Sequence, residues 1–252
     1  MSYSVVLEDV EIFYGETRAT QPLSFTARSG ELVSIVGASG CGKSSALRAI
    51  GGLTEPRSGT VTVNGTEVRN PRPTEVAFLF QHLALFPWRT ALRNVEIGLE
   101  FAHVPRRSRK ERALEALTTV KMDAFADKHP AELSGGMRQR VAVARALASH
   151  AGVLLFDEPF SALDEHSRLQ LGMELLKVLE SEQKTVIFVT HSLAEAVYLS
   201  DRIVVMTPSP GSIAEILDVD LPHPRHPSMM QSDEFHRITD RLSELLFSGA
   251  DS

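Results

Sequence analysis

The run Gly37-Ala38-Ser39-Gly40-Cys41-Gly42-Lys43-Ser44 has the residue types and spacing needed to hold a chain of phosphates. It satisfies the pattern G-x-x-x-x-G-K-[ST]. Glycines let a backbone close around an anion with its N–H groups turned inward, and a helix start behind them adds partial positive charge. In such a loop Lys43 reaches the β- and γ-phosphates of a nucleotide, and the Ser44 hydroxyl ligates Mg²⁺. The flanks suit the reading. Glu31-Leu32-Val33-Ser34-Ile35-Val36 reads as a buried strand, and Ser45-Ala46-Leu47-Arg48-Ala49-Ile50 opens a helix without a breaker. Cys41, the single cysteine, is either a small residue fitted to a tight turn or an exposed thiol activated beside Lys43 and the helix start.

In parallel α/β sheets, ligands sit beyond the carboxyl ends of the strands. Three later apolar runs deliver polar groups at such ends. Val153-Leu154-Leu155-Phe156 leads into Asp157-Glu158, an acid pair that is costly to leave there without a counter-charge. A Mg²⁺–nucleotide supplies that charge: Asp157 suits the metal shell, and Glu158 can orient or deprotonate an attacking water. Pro159 is expected to bias Glu158 toward extended backbone. Thr185 to Thr190 delivers His191, a candidate contact to the γ-phosphate or the water, and Val76 to Phe80 delivers Gln81, an amide that can bind metal and water without adding charge. A surface turn, a structural histidine and an ordinary strand-end glutamine are the competing readings.

A second helix start lies in Leu133-Ser134-Gly135-Gly136-Met137-Arg138-Gln139-Arg140. Ser134 is a good N-cap, and Gly135-Gly136 would leave backbone donors exposed to an anion. A plain capped helix does not need those glycines. Two anion-seeking helix starts with one nucleotide loop call for an explanation.

The elements that must position these groups alternate. Short strands are expected at Val5–Leu7, Val10–Tyr14 and Leu23–Ala27, and a hairpin at Gly59–Val68 with Asn64-Gly65 at its turn. From Leu83 to about Ala148 the pattern turns helical, with an apolar stripe at Ala113, Leu114, Ala116, Leu117 and Val120 and another at Met137, Val141, Ala144 and Leu147. Strands and helices then alternate again: a helix near Leu169–Leu179, one at Leu193–Leu199, and a strand at Ile203–Met206. This is an α/β fold with a mainly parallel sheet, an N-terminal antiparallel β part and an inserted helical part. The expected boundaries are a core of 1–82 with 149–220, a helical insertion at 83–148, and a tail from 221 to 252. In the tail, His223 and His226 sit in a proline-rich connector whose spacing matches no zinc motif, so a solvated loop is expected there. Phe235, Ile238, Leu242, Leu245 and Leu246 mark a final amphipathic helix.

At 252 residues, 43% of them hydrophobic and 23% charged, the chain can bury a full core. Its net charge of −6 gives no global basic field, which argues against a nucleic-acid partner. No run approaches the ~18 apolar residues that cross a bilayer. Met1 to Val10 carries Glu8 and Asp9 and lacks a cationic, apolar leader, so a cytoplasmic location is expected. The basic run Arg106 to Arg112 reads as a solvated helix start.

Together these motifs resemble the ATPase subunit of an ATP-binding cassette (ABC) transporter. The phosphate loop, Gln81, LSGGMRQR, LLFDEP, Ser161-Ala162-Leu163-Asp164 and His191 stand in that family's order and spacing, over about Val5 to Asp220. The resemblance implies a P-loop NTPase fold that binds ATP and Mg²⁺ and hydrolyses ATP. It implies that Gly37, Ala38, Ser39, Gly40, Cys41, Gly42, Lys43, Ser44 and Ser45 cradle the phosphates. Ser44, Gln81 and Asp157 hold the metal, Glu158 is the base, and Lys43, Gln81 and His191 assist. It also accounts for the second helix start. In the family two cassettes pair head to tail, so Ser134, Gly135 and Gly136 act on ATP bound to the partner, with Asp164 at the dimer seam. Tyr14 matches the aromatic that stacks on adenine; an edge-strand core tyrosine is the other reading.

Phe86-Pro87-Trp88-Arg89-Thr90, Pro208-Ser209-Pro210-Gly211 and Asp220-Leu221-Pro222-His223-Pro224-Arg225 are similar to the nitrate, aliphatic-sulfonate and taurine importer branch. That branch implies integral-membrane permease subunits, a periplasmic or extracellular solute-binding protein, and a peripheral place on the cytoplasmic face of the membrane. Trp88, the only tryptophan, would dock a permease helix or else pack internally. Ser161 and Ser192 depart from the usual glycine and aspartate, changes expected to tune the site mildly. The competing functions are a soluble ABC mechanoprotein without membrane subunits and a small phosphate-loop kinase.

Overall fold

The computed structural model describes residues 3–248 and divides into two compact units, Met1–Arg72 with Gln183–Ser252 and Pro73–Glu182. In chain order the first unit opens with β1 (Tyr3–Glu11), β2 (Phe13–Tyr14), β3 (Thr17–Arg18), β4 (Leu23–Arg28), β5 (Leu32–Gly37), α1 (Lys43–Ile50), β6 (Ser58–Val63) and β7 (Thr66–Glu67). The second holds β8 (Val76–Leu79), α2 (Ala91–Phe101), α3 (Arg106–Thr119), α4 (Gly135–Ala148), β9 (Val153–Asp157) and α5 (Glu165–Glu182). The chain then returns to the first unit with β10 (Thr185–Val189), α6 (Leu193–Leu199), β11 (Arg202–Met206), β12 (Ile213–Asp218) and α7 (Asp233–Ser248).

In the first unit β5 lies between β10 and β11 and runs parallel to both, with Val186 beside Leu32 and Arg202 beside Val33. Strands covered on both faces should be apolar throughout. Accordingly, every residue of β10 and Leu32 to Val36 of β5 are buried. The polar exceptions are both bonded: Ser34 meets the Ser200 hydroxyl at 2.5 Å, and Thr185 Oγ1 accepts from the Gly30 N–H at 3.0 Å. Strand β12 adds an antiparallel edge beside β11, an element that the sequence pattern did not announce. A separate antiparallel sheet runs β4-β1-β6-β7, and the β6–β7 hairpin turns at Asn64 and Gly65, both at positive φ, as expected for that dipeptide. The expected break at Glu8-Asp9 and the expected single strand Val10–Tyr14 resolve differently. β1 continues through Val10 with a register shift at Asp9, whose φ is 48°, and Phe13-Tyr14 forms its own small hairpin with β3. The amphipathic α7 lays Phe235, Ile238 and Leu242, all buried, into this unit, where it packs on α6 and β11.

In the second unit β8 and β9 pair in parallel, and α2, α3 and α4 pack on one another. Helix α4 is buried on nearly every side, and its polar residues are used for bonding. Arg145 donates to the carbonyls of Leu83 and Ala84 at 2.6 and 2.8 Å, tying down the segment that follows Gln81. Arg112, from the basic run, donates at 2.7 Å to the Ala148 carbonyl at the end of α4, so this member of the run is a helix clamp and not a solvated charge. Asn94, wholly buried in α2, shapes the turn before its own helix. Its amide donates to the carbonyls of Phe86, Arg89 and Thr90, and its oxygen accepts from the Phe86 N–H. Thr90 caps the helix by accepting from the Arg93 N–H. Trp88 then projects from the turn, 71% exposed, with its ring edge-on to Phe86 at 5.4 Å; the internally packed alternative does not hold.

Asn94→Ala strips the Phe86–Thr90 turn of its internal template. Taking from the Phe86 N–H and the Arg89 carbonyl the partner that Asn94 supplies is expected to cost about 1–3 kcal/mol in urea denaturation of the full chain.

Candidate functional site

Between the end of β5 and the start of α1, Ala38, Ser39 and Gly40 form an exposed crest. Gly42 closes the loop at φ 100°, and a Cβ there would lie 2.4 Å from Thr20 Cγ2, so the position accepts only glycine. The N-cap of α1 is Gly42, which has no side chain to cap the helix start. That is the electrostatic setting for an anion. The Lys43 ammonium is buried and oriented by the carbonyls of Gly37 and Ala38 at 2.9 and 2.8 Å. Carbonyl dipoles steer this charge without neutralising it.

Cys41 is fully buried, and its sulfur would meet a Cβ on Gly37 at 2.8 Å. The thiol therefore packs beneath the loop, and the exposed, activated alternative does not hold. Behind it, a Cβ on Gly211 would fall 1.9 Å from the Cys41 carbonyl oxygen, so the segment after β11 presses directly on the back of the loop. Tyr14 is 46% exposed and donates to Ser45 Oγ at 3.2 Å. That excludes the core-tyrosine alternative and leaves the ring beside the helix start. His191, exposed, stands just past β10, with Thr190 between it and the strand. The next residue, Ser192, caps α6 by accepting from the Glu195 N–H at 3.3 Å. Aspartate caps in the same way, so the departure at Ser192 retains the local geometry.

In the second unit β9 is buried along its whole length and ends at Asp157, itself only 4% exposed. Gln81, just past β8, donates from Nε2 to Glu158 Oε2 at 3.2 Å, bringing together two residues chosen from the sequence. The backbone of Glu158 contradicts expectation. It stands at φ 49° and not in the extended region that Pro159 favours. The chain must reverse immediately after the strand, and the Glu158 carbonyl is captured by the Ser161 N–H at 3.3 Å and by Gln139 Nε2 at 3.4 Å. A left-handed conformation in a residue with a long side chain is strained and recurs where a side chain must be aimed.

The second helix start is formed as the sequence implied. Ser134 caps α4 by accepting from the Met137 N–H at 3.2 Å, which leaves its hydroxyl proton as a donor. Gly136 lies so close to the Ser161–Asp164 turn that a Cβ would come within 2.9 Å of Leu163 Cδ2. Asp164 caps α5 through the Ser167 N–H at 2.9 Å, and that bond holds its carboxyl below the usual carboxylate range.

The oxygen donors Ser44, Gln81 and Asp157 are of the class a hard divalent cation takes. Mg²⁺ commonly uses one or two carboxylates and completes its shell with water and substrate phosphate. Each of these residue types is thus chemically suited to Mg²⁺. Among the described residues no group of three or more His, Cys, Asp or Glu forms an all-protein metal cage.

Residues 20–161 match the sequence profile described as ABC transporter. The chain belongs to the ABC transporter family. The Taurine import ATP-binding protein TauB of Rhizobium johnstonii is 44% identical over 82% of this chain and 79% of its own length. The Nitrate import ATP-binding protein NrtC of Synechococcus elongatus is 39% identical over 92% of this chain and 36% of its own length. Among solved structures, the ATP-binding cassette MJ0796, a dimer in a post-hydrolysis state bound to ADP and Pi, superposes with a TM-score of 0.79 at 34% identity, covering 86% of this chain and all of that one. The fold is thus that of an ABC cassette, a P-loop NTPase, and the chain is an ATP-binding ABC ATPase. Among the described residues no helix is long and apolar enough to cross a membrane.

The residues that support the loops escaped the sequence reading: Thr20 and Gly211 behind the phosphate loop, Arg145 behind Gln81, Gln139 behind Glu158, and Asn94 behind Trp88. Most act on the backbone of a segment distant along the chain, which a residue pattern does not display. Only Gln139 gave a signal, as a long amide on a helix buried nearly all round.

Cys41 is expected to resist a thiol-specific alkylating reagent in the native chain, with or without nucleotide, and to react fully once denaturant unfolds it. Rapid native labelling would contradict the buried thiol.

Proposed function

We propose that this ABC ATPase powers a membrane importer of small anionic solutes of the nitrate, aliphatic-sulfonate or taurine type, through ATP-driven closure of a homodimer. The observation that carries the catalytic part is the Glu158 carboxylate, set at the end of a buried strand on a left-handed backbone and touched by the Gln81 amide. In this reading Glu158 takes the proton of the attacking water, Gln81 orients that water, and Lys43 and His191 stabilise the charge that develops on the γ-phosphoryl group. Backbone N–H groups from Gly37 to Ser45 hold the phosphates, and Tyr14 stacks on the base. Mg²⁺ held by Ser44, Gln81 and Asp157 would neutralise phosphate charge. Ser134, Gly135 and Gly136 act on the γ-phosphate bound to a second copy, with Asp164 at the junction. ATP thereby joins two molecules, and hydrolysis weakens the joint.

The importer part is supported by the relatives that bear taurine and nitrate import names and by the Phe86–Thr90 turn. An exposed tryptophan held by a buried asparagine, beside an arginine, has the composition of an interface anchor. That feature favours an integral-membrane permease partner over a free-standing mechanoprotein. A solute-binding protein outside the membrane would select the cargo, and the ATPase itself would sit peripherally on the cytoplasmic face.

Glu158→Gln is expected to lower kcat by on the order of 10²–10⁴-fold while an ATP-bound dimer persists in sedimentation or scattering measurements; turnover equal to the parent chain would sink the assignment. Trp88→Ala is expected to leave ATP binding by the isolated chain unchanged while reducing its co-purification with co-expressed permease subunits by about 10-fold or more. Undiminished co-purification would remove Trp88 from the docking surface.

A further inference from the structure

Helix α4 begins with the Ser134–Gly136 turn and, one turn further on, carries an amide that nothing in the reading above employs. Gln139 is 1% exposed. Its Oε1 accepts from the Ala162 N–H at 2.9 Å, and its Nε2 donates at 3.4 Å to both the Glu158 carbonyl and Ser161 Oγ. A single side chain therefore spans the turn after β9, holding it at its first residue and again near its end. An amide suits this task because it accepts and donates from one planar group. A carboxylate could not donate to the carbonyl, and an apolar residue of equal size could do neither. The turn it spans begins at Glu158, whose φ of 49° requires external support. Gly136 presses on Leu163 from the same helix, so α4 touches this turn at two places.

We propose that Gln139 is a positioning residue that aims Glu158 and makes the Ser134–Gly136 turn and the acidic turn move as one piece. The proposal rests on the functional reading above, in which Glu158 acts on ATP bound to its own chain and Ser134 and Gly136 on ATP bound to the partner. Under that reading, closure of the helix start on the partner's phosphate is felt at the Glu158 backbone through the Gln139 amide. One half-site would thereby report its engagement to the other without a contact between their ligands. The unusual Ser161 adds a hydroxyl to this link where the resemblance leads one to expect glycine.

The test uses the full chain with Mg²⁺ and ATP. Gln139→Met keeps size and helix propensity and removes all the bonds. It is expected to lower kcat by about 10- to 100-fold, as a small misplacement of a base does, with KM for ATP within about threefold of the parent. Amide exchange at Ala162 should quicken while that of mid-α4 holds. In a Glu158→Gln background the same substitution should cost less than about twofold, because the group it positions is no longer a base. A merely structural amide would instead multiply the two losses and move KM and kcat together. Ser161→Ala, at an exposed position, should lower kcat by about twofold at unchanged KM, and carries the test should Gln139→Met not fold. Parent-like kcat in Gln139→Met, or in Ser161→Ala if that variant must serve, overturns the proposal, as does full multiplication with Glu158→Gln. If Glu158→Gln alone turns over like the parent chain, the functional reading fails, and this inference fails with it. If Glu158→Gln is inactive but Gln139→Met is not impaired, only the inference fails.

Discussion

The constraint on which this molecule depends is that a loop offering its N–H groups to an anion must be held from behind. Backbone donors aimed outward cannot also be spent on internal structure. In the phosphate loop the restraint comes from Lys43, whose ammonium draws the Gly37 and Ala38 carbonyls around itself, and from Thr20 and Gly211, which leave no room for a side chain at Gly42 or behind Cys41. The loop is thereby shaped before any ligand arrives, so binding need not bear the cost of ordering it. The same logic recurs where Ser134 satisfies the Met137 N–H, and the hydroxyl that caps the helix keeps its proton as a donor.

Strain at Glu158 is the complementary device. A left-handed backbone at a glutamate costs on the order of 1–3 kcal/mol and persists only where the surroundings over-determine it. Here the determinants are the Ser161 N–H and the Gln139 amide on the carbonyl and the Gln81 amide on the carboxylate. The backbone is held at one end of the residue and the side chain at the other. A carboxylate so fixed has little rotational entropy left to lose, which is how positioning would lower the barrier in the role proposed for Glu158.

Much of this was legible in the residues. The buried strand before the phosphate loop, the acid pair at the end of β9, the cap at Ser134 and the Asn64-Gly65 turn all carry local signals: glycine, periodicity, or a polar residue ending an apolar run. What the sequence withheld has a common physical character. Pro159 signals extended geometry at Glu158, but that local preference yields to bonds from Gln139, a residue distant along the chain. The residues around Cys41 leave open whether its thiol is buried or exposed, because the decision belongs to packing near Gly37 and Gly211. Strand β12 has an amphipathic edge pattern, Ile213-Ala214-Glu215-Ile216-Leu217-Asp218, too mixed to announce itself, and it exists because β11 offers it a pairing edge.

The two departures from the family pattern show how the same geometry admits different residues. At Ser192 the requirement is an oxygen able to accept the Glu195 N–H, and a hydroxyl meets it as a carboxylate would, with one less negative charge beside His191. At Ser161 the requirement is a residue small enough for the turn after Glu158. Serine satisfies it and brings a hydroxyl within 3.4 Å of the Gln139 amide, adding a bond that glycine could not make. The first substitution changes local charge while the cap is kept. The second keeps charge and adds stiffness to the segment that carries the acid. Both sit within a few residues of a group that must be aimed, and both keep the backbone path that aims it.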